Sequence, residues 1–121
     1  MKKTPTRLSF FLSFACTAAA FLPGAAAEAQ EVQQLWTDSC ARCHGADGKG
    51  STKMGRKLKI KDLTSPRLQA RLSTDRIAEA IAEGSRDNDG NERMPSFREK
   101  LTEEQRSSLA AYVKTLSSGG E

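Results

Sequence analysis

Histidine is almost missing from this 121-residue chain, which has one, His44, beside three cysteines, one tryptophan and one tyrosine. A structural zinc site takes about four Cys, His or carboxylate ligands, and no further Cys or His follows His44 to complete one. The shortage of aromatics removes another class, because single-stranded nucleic acid is held on aromatic platforms set among basic residues. No run of alternating β-branched and polar residues occurs, so neither a half-buried sheet nor the βαβ frame of a thioredoxin-like cysteine pair is indicated. Nor is there an apolar stretch of the roughly 20 residues that span a bilayer; the run Leu8 to Leu22 is shorter.

What is present at the N-terminus is an export signal. Lys2, Lys3 and Arg7 precede the apolar run, and Pro23-Gly24 and small residues follow it, the order of a secretory signal peptide. Cleavage is expected after the Ala27-Glu28-Ala29 triplet, with cleavage after Ala27 as the alternative; the former removes residues 1–29 and leaves a mature periplasmic domain of residues 30–121 with no stable membrane insertion. Cys16 lies within the leader, preceded by Ser13-Phe14-Ala15 and not by a lipoprotein-like Leu, and is expected to be lost with it. The mature part carries 16 Lys and Arg against 14 Asp and Glu, so the formal charge of +4 falls to about +2. Charge stays uneven along the chain: Lys49, Lys53, Arg56, Lys57, Lys59 and Lys61 occur with no acid before Asp62. Such a run is either a solvated loop or a basic rim that steers an acidic protein partner.

The mature cysteines both fall in Cys40-Ala41-Arg42-Cys43-His44, and C-x-x-C-H is the attachment pattern of a c-type haem. On a helical turn the thiols of Cys40 and Cys43 share one face, from which both reach one porphyrin edge, and His44 stays on that side as a ligand to the iron. With Cys16 gone, no thiol is left to oxidise in an exported protein. One motif predicts one covalently bound haem c. The iron's sixth position cannot take a second His, which leaves Met54 and Met94 as soft donors. Pro95 biases Met94 toward extended backbone and so favours a ligand-bearing loop. Met54, ten residues past His44, is within reach of extended chain, but its basic neighbours point it toward solvent.

The remaining periodicity is helical. Val32, Leu35, Trp36 and Cys40 are spaced as one face of a helix from Glu31 to Cys43, which Gly45 ends. Ser65-Pro66 opens a short helical turn through Leu72, and Ser73 caps a helix carrying Ile77, Ala78, Ala80 and Ile81 up to Gly84. Asp87-Asn88-Asp89-Gly90-Asn91 is turn chemistry; as a calcium loop it would need ligands at Ser85 and Ser96, where none suits a hard cation. Thr102 and Gln105 form a capping box for a last helix with Leu109, Tyr112, Val113 and Leu116 on its buried stripe, ending near Ser117. With no convincing strand, the expected fold class is all-α: three to four helices wrapped around one haem.

Several of these stretches together resemble a class I cytochrome c of the small bacterial mono-haem kind. They are Cys40 to Gly45 with Asp47-Gly48, Leu58 to Leu63 with Asp62, Arg93-Met94-Pro95-Ser96-Phe97, and Leu101-Thr102 leading to Leu109, Tyr112 and Val113. The resemblance implies that the first and last helices cross near-perpendicularly, that Trp36 packs against Leu109 and Tyr112, and that Met94 is the distal ligand. Two positions depart from the pattern: Val32 stands where the family often has Gly, and no proline follows Gly50 to offer its carbonyl to the His ring. A carbonyl between Gly45 and Ser51 is expected to accept that proton instead. Trp36 is read as a core aromatic and not as an electron relay.

The expected function is a soluble, monomeric one-electron carrier between redox proteins, one with no substrate chemistry of its own. A permanently docked haem subunit of a periplasmic oxidoreductase is the alternative, and it calls for an extensive apolar surface. An enzyme or gas sensor with an open iron site would need Met94 to be free.

Overall fold

The computed structural model describes residues 24–118; the apolar run Leu8 to Leu22 and Cys16, on which the signal-peptide expectation rests, lie outside them. Helix α1 spans Gly24–Ser39 and α2 Ala41–His44. They correspond to the single helix predicted from Glu31 to Cys43, broken at one residue: Cys40 has φ −119°, well away from helical geometry. The ladder still carries from the Cys40 amide to the Trp36 carbonyl (2.9 Å) and from the His44 amide to the Cys40 carbonyl (2.9 Å). α1 also begins upstream of the expected cleavage position, but every side chain from Gly24 to Glu31 is exposed.

A short helix, α3 (Lys53–Lys57), was read as loop from the sequence. Its signal is Thr52, whose hydroxyl accepts the Gly55 amide at the N-terminus (2.8 Å); the basic run hid it. Pro66 stands at the first turn of α4 (Pro66–Gln69), and Ser73 caps α5 (Thr74–Glu83). Within α5 the buried residues are Ile77, Ile81 and Ala82, and Ala80 faces out: the apolar stripe runs along the i, i+4 pairs 77/81 and 78/82.

The expectation of no strand is corrected in one place. β1 (Ser85–Arg86) and β2 (Glu92–Met94) pair antiparallel, Ser85 opposite Met94 and Arg86 opposite Glu92, with an irregularity between them. Segments this short show no alternation for a sequence reading to find. The turn between them is held by Asp87, whose carboxylate accepts the Asn91 amide (2.8 Å) and the Asp89 amide (3.0 Å). The Asn91 side chain, then the backbone bonds, hold the Asp87 carboxyl below its ordinary 3.8. Because the folded value is the lower one, the turn's contribution is present above 3.8 and is lost as pH falls through the folded pKa. A carboxyl-carbon NMR titration is expected to give Asp87 a midpoint below 3.8; an equal or higher midpoint contradicts the turn geometry.

The last helix, α6 (Glu103–Thr115), has the predicted box: Thr102 Oγ1 accepts the Gln105 amide and Gln105 Oε1 the Thr102 amide. A single turn, Leu116–Ser118, follows it. α6 packs on both α5 and α1, burying Leu109 and Ala110 completely with Trp36, Ile77, Ile81, Phe97, Leu101 and Val113 in one cluster. Trp36 packs against Tyr112 with ring centroids 5.4 Å apart and planes tilted by 52°, the contact the resemblance implied. Gln69, the buried polar residue of the core, donates to Leu63 O (2.6 Å) and Val113 O (2.9 Å) and so ties α4 to α6.

Candidate functional site

The cysteine and histidine side chains project from the end of the α1–α2 arm, and three neighbouring groups fix that end. Gly45 leaves the helix at φ +83°, and its carbonyl accepts the indole N–H of Trp36 (3.1 Å). The Gly50 amide donates to His44 O (2.7 Å), and the Thr52 hydroxyl to Cys43 O (2.9 Å). Gly55 lies so close that a methyl group there would meet Gly50 O at 2.1 Å and Cys43 O at 2.6 Å. The loop of residues 45–52 and α3 therefore form a tight backbone frame around α2.

Within this frame Cys40 is buried, Cys43 half-buried, and both thiols are free. Burial, with Cys43 beside it, pushes the Cys40 thiol up to about 11. A thiol–disulfide oxidoreductase needs the opposite, a depressed thiol pKa, so the geometry speaks against a redox pair. Burial likewise lowers the His44 pKa, which keeps the imidazole neutral with a lone pair to give. His44 Nδ1 is enclosed without a hydrogen-bond partner, and the predicted acceptor from the Gly45–Ser51 loop is not found. The carbonyls of Cys43, His44, Gly45 and Gly48 already accept from Thr52, Gly50, Trp36 and Leu63.

Met94 ends β2, half-buried at the margin of the core cluster. Its backbone lies against Gly84, where an added methyl would meet Met94 O at 2.4 Å; Gly84 itself has φ +72°. Beyond Pro95, Ser96 Oγ donates to Ala82 O (2.5 Å) and the Phe97 amide to Ile81 O (3.1 Å). On the other side, Arg93 reaches Leu58 O and Lys59 O, the latter at 3.2 Å. Met54 is not in solvent as its neighbours suggested. It is half-buried on α3, beside Arg42, Lys53 and Lys57. The sequence reading missed Thr52, Gly55 and Arg93; the first had a local capping signal, the other two none.

Among the described residues the core holds ten buried apolar side chains, while Leu58, Ile60, Leu63, Leu68, Leu72 and Met94 remain half-buried. Paired free thiols, a neutral imidazole and partly covered aliphatic side chains suit a bulky apolar prosthetic group joined by thioethers.

Comparison with known proteins bears on this site. The cytochrome c family model matches residues 29–117. Among solved structures, the KustC0563 c-type cytochrome is 34% identical, with a TM-score of 0.62 over 69% of this chain and 94% of that one. A mutant form of the same protein matches at 34% and 0.62, over 70% and 96% of the two chains. A search of curated proteins gives no match. A helical fold of this kind around a C-x-x-C-H end defines a haem-based electron carrier and not an enzyme as such. The chain belongs to the cytochrome c family, whose cofactor is haem c with its iron.

Proposed function

We propose that this chain is an exported one-electron carrier whose haem is attached through Cys40 and Cys43 and ligated by His44 and Met94, and that it shuttles as a monomer between periplasmic redox proteins. What supports this reading is where the two candidate ligands sit in the fold. His44 belongs to the α2 frame and Met94 to a hairpin built on α5, so the ligands approach from separate parts of the fold. Met54 rides on α3, which is bonded directly to the backbone of Cys43 through Thr52. Met54 thus shares the frame that carries His44, whereas Met94 would reach a bound haem from a separate part of the fold. Haem iron supplies the one-electron couple, and a thioether ligand raises its potential. The residues hold and orient that group: Trp36 and Thr52 fix the end of α2, Gly84 seats the Met94 backbone, and the half-buried aliphatic residues keep water away.

Replacing Met94 by Ala is expected to abolish the weak far-red sulfur-to-iron band of the oxidised protein and to let carbon monoxide bind the reduced protein readily. An unaltered spectrum would transfer the assignment to Met54.

For export, the leader pattern is the support, and α1 loses no buried side chain if cleavage follows Ala29. Among the described residues no helix is long and apolar enough to cross a membrane. Lys49, Lys53, Arg56, Lys57, Lys59 and Lys61 are all exposed, which supports a basic docking face for acidic partners. Reduction by such a partner is then expected to slow by about tenfold between low and high salt, as exposed charges are screened. A salt-independent rate in stopped-flow mixing would reduce those residues to a solubilising surface.

A further inference from the structure

We propose that Arg93 is the positioning residue for Met94, clamping the ligand-bearing hairpin to the loop that follows the haem-attachment frame. The inference rests on Met94 being the axial ligand. Arg93 directly precedes Met94 in β2, and its guanidinium donates to the carbonyls of Leu58 and Lys59, 35 and 34 residues earlier in the chain. Among the described residues these are the only hydrogen bonds between residues 45–62 and the hairpin of residues 85–94. The two sides of Met94 are thus restrained very differently. C-terminally, Gly84, Ser96 and Phe97 fasten the chain to α5. N-terminally there is only the two-residue strand β1, an irregular register and an exposed turn. Arg93 supplies the missing restraint.

The receiving loop is shaped for the contact. Lys59 is the one described non-glycine residue with positive φ, +51°, a conformation that L side chains rarely adopt. The bend it makes lies at the two carbonyls that Arg93 binds. Both bonds come from one terminal nitrogen of the guanidinium, Nη2, which reaches the two adjacent carbonyls together. Asp87 is the acid that feels Arg93, and its own oxygens are taken by Asn91 and the Asp89 amide, so the guanidinium is left to the carbonyls. Releasing the clamp would let the hairpin swing on its α5 hinge and loosen the thioether from the iron without disturbing the thioether attachment or His44.

The test uses the oxidised holoprotein, titrated with imidazole as a competitor for the Met94 position, in wild type, Arg93→Gln, Arg93→Lys and Met94→Ala. The clamp predicts about tenfold tighter imidazole binding and a weakened far-red band in Arg93→Gln, the size expected for losing one charge-assisted hydrogen bond. Arg93→Lys, which keeps the charge and one donor group, is expected to lie between Arg93→Gln and wild type. Met94→Ala sets the upper limit, with no band and the tightest binding. If Arg93→Gln matches wild type while Met94→Ala does not, the clamp is overturned and the ligand assignment stands. If Met94→Ala itself keeps the band, the ligand assignment fails and the clamp with it. A lowered melting temperature in Arg93→Gln with unchanged imidazole affinity would make Arg93 merely a stabilising residue, which also overturns the proposal.

Discussion

Exchanging Cys40 and Cys43 together for alanine is expected to leave the chain with no haem that survives denaturation, and with little folded protein. Both effects follow from the same side chains. Apart from Cys16, in the stretch read as a signal peptide, the chain has no other thiol, so a thioether to the porphyrin has nowhere else in the haem-binding domain to form. His44 alone would hold the group only by coordination, which a denaturing gel disrupts. The second effect comes from the core. Among the described residues only ten apolar side chains are buried by the polypeptide itself, and a small domain is marginal without added bulk. Leu58, Ile60, Leu63, Leu68 and Leu72 would keep solvent-facing area whose burial is worth about 25 cal/mol per Å². Peroxidase staining of a denaturing gel and the mass of the purified chain decide the matter. A double variant that still stains, at the mass of chain plus tetrapyrrole, would refute attachment at these cysteines.

Gly55→Ala is expected to be strongly destabilising, an added methyl with no room among the described residues. Gly55 needs no unusual φ, since it lies in the middle of α3 with ordinary helical backbone; the restriction is space alone. The added carbon would lie 2.1 Å from Gly50 O and 2.6 Å from Cys43 O, distances that non-bonded carbon and oxygen do not sustain. Both obstacles are backbone, so no side chain can rotate away. Either α3 lifts off α2 or the residue 50 turn opens, and either motion breaks the Thr52–Cys43 bond that frames the attachment motif. Overpacking of this kind costs about 3 kcal/mol, a large share of the stability of a small domain. For a chain of this length that corresponds to a melting temperature lower by roughly 15 °C. A melt of the holoprotein within a few degrees of wild type would show that the close approach of α3 to Cys43 is absent in solution.

These two predictions differ in how they could have been found. The cysteines are visible as letters, because attachment chemistry demands two thiols and an imidazole at fixed local spacing. Gly55 is one glycine among nine, and nothing in its neighbours shows that two carbonyls from elsewhere close on it. The same division runs through the fold. Thr102 with Gln105, Ser73 before α5 and Pro66 at the start of α4 were readable because capping is a contact between residues a turn apart. The break at Cys40, the two-residue pairing of Ser85–Arg86 with Glu92–Met94 and the burial of Ala82 in place of Ala80 were not.

From its letters alone the chain determined a helical class, a C-x-x-C-H motif and the donors available to a haem iron, since each depends on side-chain chemistry and on spacings of a few residues. Tertiary structure decided which methionine stands apart from His44, what frames the motif, and that Arg93 spans to residues 58 and 59. Those relations join segments tens of residues apart, and packing brings them together through backbone carbonyls, which every residue carries and no sequence pattern marks.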